Sequence, residues 1–349
     1  MIIDYKNDIY FDPRLGEIYA KLEGGRFQEF NYKTDAGHIR HQFIIRPIEL
    51  PDSLSNSAEP DNSIGSASPV LEGYYDLSTP YGYGGPLIME VEPGRKQELL
   101  DGFTQTFAGY CSEQRIVSEF IRFHPIANNA TDFSSTYDVV LFNHTVGTNL
   151  TDYDDPFQEE FSKSARKNVR RALRAGLTFE IEEYPDTLED FTDIYYQTME
   201  RNKAKEKYYF GEEYFSAFIE TMPEAVLKCS VFYKGKTIAM GFYLRSDEIL
   251  HTHLSGTLNE YLNLSPAYLL RYALVKWGKK MGYKLIHNGG GTSGDPDDNL
   301  YRFKKGFGQN TEFDFHIGRK IWNQEVYRKL VKLSGTAHTS FFPQYRAEI

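Results

Sequence analysis

Residues 264–283 read LSPAYLLRYALVKWGKKMGY, and the fold turns on this stretch. Ser265 stands at an N-cap position and Pro266 at the first helical position. Leu269, Leu270, Ala273, Leu274 and Trp277 recur at helical spacing, and Lys279, Lys280 and Gly282 close the segment. The spacing predicts a helix over 265–281 that lays its apolar stripe on a sheet. Upstream, 229–233 and 237–244 are strand-like and flank Lys234-Gly235-Lys236, a turn suited to an antiparallel hairpin; 249–254 extends the meander. Downstream, 284–288 is a short strand that runs into Gly289-Gly290-Gly291.

Antiparallel strands followed by a helix and another strand suggest an acetyltransferase-like half. The first half has the same plan without repeating the sequence: a strand at 71–77, a tight loop at 79–86 (TPYGYGGP), a helix at 93–110 and a strand at 115–124. Residues 50–67 (LPDSLSNSAEPDNSIGSA) have almost no apolar periodicity and read as a long surface loop. The interval 186–223 has room for ordinary helices only.

Composition sets limits on what the chain does. At 349 residues two domains or one large α/β domain are expected, and 40% hydrophobic against 25% charged residues is the balance of a folded chain. A charge of −10, from 39 basic and 49 acidic residues, argues against general nucleic-acid coating, so local basic patches matter more than the total. No apolar run approaches a membrane span and the N-terminus lacks a signal pattern, so a cytoplasmic location is expected. Cys111 and Cys229 alone make no zinc cage and read as small core residues. Asn143-His144-Thr145 and Asn149-Leu150-Thr151 fit the glycosylation pattern by chance. There is no GxSxG elbow, HExxH motif or EF-hand loop, and no [QR]xxGx[GA] coenzyme A pyrophosphate loop.

Four stretches have chemistry to offer, each with a bland alternative. In 163–174 (KSARKNVRRALR) six basic residues fall on one helical face at ~100° per residue; they suit phosphate oxygens, or are a solvated face. In 79–86 three glycines let the backbone approach a ligand lined by Tyr81 and Tyr83, or form a stiff turn. Residues 289–295 (GGGTSGD) follow a strand and offer backbone N–H groups to an anion, though they match no phosphate-loop fingerprint. In 303–308 (FKKGFG) a lysine beside aromatic rings could neutralise charge developing on a carbonyl oxygen, or belong to a basic turn. His251 and His253 face one side of a strand; no carboxylate or cysteine completes a metal site, and core or cleft-lining histidines are the expectation.

Taken together, YYDLSTPYGYGGP (74–86), RKNVRRALRAGL (166–177), HLSGT (253–257) with 264–283, and GGGTSGDPDDNLYRFKKGFG (289–308) resemble the FemAB/FemX-type family of peptidoglycan bridge-forming aminoacyltransferases, in order and separation over most of the chain. The resemblance implies an α/β (α+β) chain of two tandem GNAT (acyl-CoA N-acyltransferase)-like domains with mixed, mostly antiparallel sheets flanked by helices. Their expected bounds are 1–160 on the acceptor side and 161–349 on the donor side. Long helical-hairpin arms found in several family members are not expected. The resemblance also implies that Lys304, beside Phe303, is catalytic in donor positioning and transition-state stabilisation. Asp76, Thr79, Tyr81, Tyr83, Gly84 and Gly85 would shape an acceptor cleft. Arg170 and Arg171 would meet phosphate, and His253, Ser255, Gly256, Ser265, Tyr268 and Gly290 would line the substrate site.

The expected reaction is aminoacyl transfer from charged tRNA to an amine of a nucleotide- or lipid-linked muropeptide. A lipid-linked acceptor entails transient association with the inner membrane surface. No metal and no tightly bound cofactor are expected; the co-substrate is aminoacyl-tRNA or acyl-CoA. One alternative is an acyl-CoA- or acyl-carrier-dependent N-acyltransferase acting on an amino sugar. Another is a non-catalytic module that binds anionic ligands. Asp76, His251 and His253 are candidate bases by polarity alone.

Overall fold

A computed structural model describes residues 1–49, 73–295 and 297–347. The stretch read as a loop, 50–67, and the first two residues of the strand expected at 71–77 lie outside the described residues. Six strands come first: β1 (Arg26–Thr34), β2 (Gly37–Pro47), β3 (Tyr75–Ser78), β4 (Leu87–Val91), β5 (Ile116–Arg122) and β6 (Asp138–Asn149). Then follow β7 (Thr178–Glu183), β8 (Val226–Tyr233), β9 (Lys236–Arg245), β10 (Ile249–Thr257), β11 (Leu285–Gly290) and β12 (Glu312–Ile321).

The chain divides into two compact units. One comprises Met1–Arg14 and Phe142–Phe315, the other Leu15–Leu141 and His316–Ile349. These bounds differ from the contiguous halves 1–160 and 161–349. The N-terminal residues are held in the first unit because the buried His251 Nε2 lies 2.8 Å from the Asp8 carboxylate, with Tyr10 edge-on to the imidazole at 4.8 Å.

In the first unit the strand order is β6-β11-β10-β9-β8-β7. The β8–β9 hairpin turns at Lys234 (φ 51°) and Gly235 (φ 80°), a two-residue left-handed turn whose twist matches the strands. The helix Pro266–Met281 joins β10 to its parallel neighbour β11. It begins at Pro266 and stops at Gly282 (φ 87°), where the Tyr283 N–H returns to the Gly278 carbonyl at 2.9 Å. Together with the helix Lys163–Arg174 it covers one face: Ala165, Val169, Ala172, Leu269, Leu270 and Leu274 close over Cys229, Tyr243, Leu250 and Ile286. On the other face Phe191, Phe215 and Phe218 pack on Phe242 from the helices Glu189–Arg201 and Glu212–Thr221. Those two helices occupy most of the interval 186–223.

The second unit orders its strands β1-β2-β3-β5-β12, with β4 also on β2. Here too a helix, Lys96–Glu113, lies in the chain between parallel neighbours, β3 and β5. Its Leu99, Phe103 and Phe107 fill a core with Ile39, Phe43, Leu77 and Ile121. Each unit therefore has mainly antiparallel strands and one parallel step bridged by a helix, the mixed α/β plan that the two sequence stretches predict.

Gly256 of β10 seats the helix Glu189–Arg201 directly on the strand. A Cβ there would stand 2.6 Å from the Ile194 carbonyl oxygen and 2.8 Å from the Tyr195 nitrogen. Thr198 accepts from the Thr257 N–H at 2.8 Å, and Arg201 donates to the Thr257 carbonyl at 2.9 Å, which fixes the approach. Its expected part in the substrate site gives way to packing. Gly256→Ala should lower stability by about 1–3 kcal/mol in urea unfolding, because neither backbone can yield without breaking those bonds.

Candidate active site

Strands β10 and β11 pair over only three residues each, Ile249↔Leu285, Leu250↔Ile286 and His251↔His287, and then part. Each is bulged at the point of separation: β10 shifts register against β9 between Thr252 and Leu254, and β11 shifts against β6 between His287 and Gly289. A bulge adds twist and ends pairing, so two facing bulges open a wedge whose edges keep backbone N–H and C=O groups unpaired with each other. The residues beyond the last pair, 252–255 on one edge and Gly289 and Gly290 on the other, are half-buried.

Lys304 reaches this wedge from the short helix Asn299–Lys305, and its ammonium donates to the Gly290 carbonyl at 2.7 Å. Asp298 caps that helix through the Tyr301 N–H and also accepts from the Thr292 N–H at 3.0 Å and from the Thr292 and Ser293 hydroxyls. The glycine-rich loop and the lysine helix are thus locked together. Burial pushes the Asp298 carboxyl up, but those hydrogen bonds outweigh it and hold it at about 2. Phe303, Phe307 and Tyr268 form a mutual cluster beside Lys304, with ring centroids 5.0–5.5 Å apart. Burial, followed by the charge of Arg271, brings the Lys304 ammonium down to about 7, with Asp298 pulling the other way.

Lys304, Phe303, Tyr268 and Gly290 are therefore assembled as one site. Ser255 lies on the β10 edge of the wedge, half-buried. Arg171 donates to the Ser265 hydroxyl, which donates to Asn168 at 3.3 Å; this ties the basic helix to the left-handed residue (φ 61°) that starts the helix Pro266–Met281. Arg170 is exposed, 5.9 Å over the Phe157 ring, and its guanidinium donates to Gln158 at 3.4 Å. Among the described residues none of Lys163, Arg166, Lys167, Arg170, Arg171 and Arg174 pairs with a carboxylate; Arg166, Arg170, Arg171 and Arg174 donate to neutral oxygens.

His253 lies elsewhere. It packs on Phe242 at 5.1 Å and Phe218 at 5.8 Å, on the face opposite Tyr243, and bonds the Tyr214 hydroxyl. Burial, and next His251, pull it down to about 3, so its imidazole is neutral at physiological pH. Neither histidine of β10 is a base at the wedge, since His251 is buried against Asp8.

In the second unit, the loop 79–86 is a pinned turn. The Thr79 hydroxyl accepts from the Arg122 N–H at 2.7 Å, and the Thr79 and Pro80 carbonyls accept from its guanidinium. Asn129 donates to the Gly84 and Pro86 carbonyls, both at 2.9 Å. Gly85 (φ 86°) turns over Ile121, leaving no room for a side chain. Tyr81 is partly exposed, with its ring 5.4 Å from that of Tyr19, and Tyr83 lies edge-on to His124 at 6.0 Å. Asp76 is wholly buried, holding Arg46 at 3.0 Å and Arg346 at 2.5 Å and accepting from the Tyr345 hydroxyl. Its carboxylate is a structural anchor for the C-terminal segment, not an open acid or base.

Sequence reasoning missed the parting of β10 and β11, and it missed Arg271. This arginine lies on the buried line of Val275 and Gly278 along its helix, and it is 7% exposed. A cation on an otherwise apolar and small-residue line was the signal available.

Residues 160–305 match the acetyltransferase (GNAT) domain family. No curated protein matches the chain in sequence. Among solved structures, FemX superposes at TM-score 0.65 and 14% identity, covering 93% of this chain and 94% of its own. A C-terminal domain assigned to a lysylphosphatidylglycerol synthetase from Agrobacterium fabrum does so at 0.55 and 11%, covering 93% and 90%. L-PGS from Bacillus licheniformis follows at 0.52 and 13%, covering 92% and 95%. At such identities these structures show the fold. Residues 160–305 are thus similar to that domain family, and the mixed α/β plan is GNAT-like. Among the described residues no helix is long and apolar enough to cross a membrane.

Asp76→Asn should cost about 3–5 kcal/mol in equilibrium unfolding, because it leaves two arginines facing a buried neutral amide. Binding of ligands to the first unit should be unchanged in that variant.

Proposed function

We propose that the chain transfers an aminoacyl group from charged tRNA to an amine of a peptidoglycan or cell-envelope precursor, in the wedge between β10 and β11. The observation that carries this reading is Lys304, held against Gly290 at the open end of the wedge and walled by Phe303, Phe307 and Tyr268. The acceptor nitrogen attacks the ester carbonyl carbon, and the Lys304 ammonium hydrogen-bonds the oxygen as it gains negative charge. A preorganised cation in a water-poor site is the effective device for that step. The C–O bond then breaks, and the proton lost by the amine leaves with the ribose hydroxyl. The resemblance to the FemAB family and the six cations of Lys163–Arg174, which have no carboxylate partner among the described residues, support a donor rich in phosphate. The second unit, with exposed Tyr81, is the proposed acceptor side.

A second reading, transfer from an acyl-CoA to an amino sugar, is favoured by the match of 160–305 to the acetyltransferase domain family. Product mass separates the two. Incubation with muropeptide acceptors and a charged tRNA pool should yield an aminoacyl increment, reduced about 10²–10³-fold in Lys304→Met. An increment only with an acyl-CoA panel would select the second reading, and none with either donor would contradict both.

The sign of the pH dependence follows from the depressed Lys304. Its charged form is present below about 7 and is lost as pH rises through that value. The ratio of wild-type to Lys304→Arg kcat/KM, which cancels titration of the acceptor amine, should therefore fall about tenfold per pH unit above 7. A ratio flat from pH 6 to 9 would contradict the role given to the ammonium.

A further inference from the structure

Among the described acidic and basic side chains that are fully buried, all but one have partners. Asp8 faces His251, Asp76 holds two arginines, Glu119 meets His41 and the Trp322 indole, and Lys228 lies between Glu182 and Asp190. Glu160 accepts from the Asn149 and Asn310 N–H groups and from Thr311. Arg271 is the exception. It is 7% exposed, its Nη1 is buried without a hydrogen-bond partner, and no carboxylate pairs with it among the described residues.

The groups that face this guanidinium sharpen the point. From β9 comes Tyr243, whose ring centroid lies 5.7 Å away and whose buried hydroxyl interacts with the guanidinium but makes no well-formed hydrogen bond. From β8 comes Cys229, and burial pushes both the phenol and the thiol up, so both are neutral at physiological pH. From the helix Asn299–Lys305 comes Lys304, a second cation close enough for the two charges to repel. A buried ion without a compensating charge is costly, so this cation calls for an anionic partner.

We propose that Arg271, Tyr243 and Lys304 form a subsite for a carboxylate on the acyl group being transferred. The inference rests on the acyl-transfer reading of the wedge. A guanidinium edge, a neutral hydroxyl and an ammonium suit the two oxygens of a carboxylate. The phosphates of a donor have the exposed cations of Lys163–Arg174 instead, and an ammonium would be repelled. The acyl group is thus acidic: an aminoacyl ester with a side-chain carboxylate or a dicarboxylic acyl thioester.

The test separates binding from transfer. Succinate and glutarate should raise the Tm of the wild-type protein saturably, while their neutral diamides should not. Arg271→Met, which removes the unpaired charge and should fold at least as stably, should lose that response; Arg271→Lys should keep part of it. In transfer assays with aspartyl- against asparaginyl-tRNA, and succinyl- against acetyl-CoA, wild type should favour the acidic group at least tenfold. That preference should vanish in Arg271→Met, and the productive pair identifies the carrier.

No Tm response in wild type, an equal response to the diamides, or an undiminished response in Arg271→Met would overturn the subsite. Transfer without acid preference would overturn it and leave the acyl-transfer reading standing. Carboxylate-selective, Arg271-dependent binding without transfer from any donor would do the reverse.

Discussion

Parallel strands β10 and β11 hold each other for only three residues, and the rest of the site exists because they then let go. Had pairing continued, Gly289 and Gly290 would be paired with β10 as well as with β6, and this edge would be closed to Lys304. Two bulges, one on each strand, prevent this while leaving β10 paired to β9 and β11 paired to β6. The outer neighbours keep the edges rigid, so the opening is a property of the sheet rather than of a mobile loop. The helix Pro266–Met281 sets the depth of the opening. Gly278 brings it close to the sheet, where an added Cβ would stand 2.7 Å from Leu250, and Arg271 lies on the same buried line, over the Tyr243 ring.

Charge placement follows from that geometry. Lys304 is the last residue but one of a short capped helix, and Asp298 fixes both the helix start and the loop before it. The lysine sits where water is scarce and a second cation is near, and the one acid that favours its charge also serves as the cap. Such an arrangement spends stability to hold a cation ready, which is the usual relation between a site and the scaffold around it. The contrast with Asp76 is instructive: there two arginines and a tyrosine saturate a buried carboxylate, and nothing remains for chemistry.

Much of the fold was legible. The helix Lys163–Arg174 follows from its basic face, and the helix Pro266–Met281 from apolar spacing with Pro266 at its start and Gly282 at its end, although Ser265 makes no capping hydrogen bond; the β8–β9 hairpin follows from Lys234-Gly235. Local patterns of this kind are written in neighbouring residues. The units were less legible, since Met1–Arg14 joins residues more than 200 positions away through Asp8 and His251. At the site, Phe303, Lys304, Tyr268 and Gly290 were read from a resemblance and meet in space. His253 was drawn in by the same resemblance, but a strand has two faces and its ring packs on Phe242 and Phe218. Asp76, Thr79, Gly84 and Gly85 looked like a ligand loop because glycines and polar groups serve turns and ligands alike. Their partners, Arg46, Arg122, Asn129 and Arg346, all lie 30 or more positions away, beyond any local pattern.

The claim on which the account rests is that Lys304 is enclosed beside a second cation at the mouth of the wedge. An NMR titration of lysine side-chain signals, with Lys304 assigned by its loss in Lys304→Arg, reads this directly. A midpoint near 7 is the result the structure requires. A midpoint near the ordinary lysine value of about 10.4 would mean an open, solvated ammonium and would contradict it.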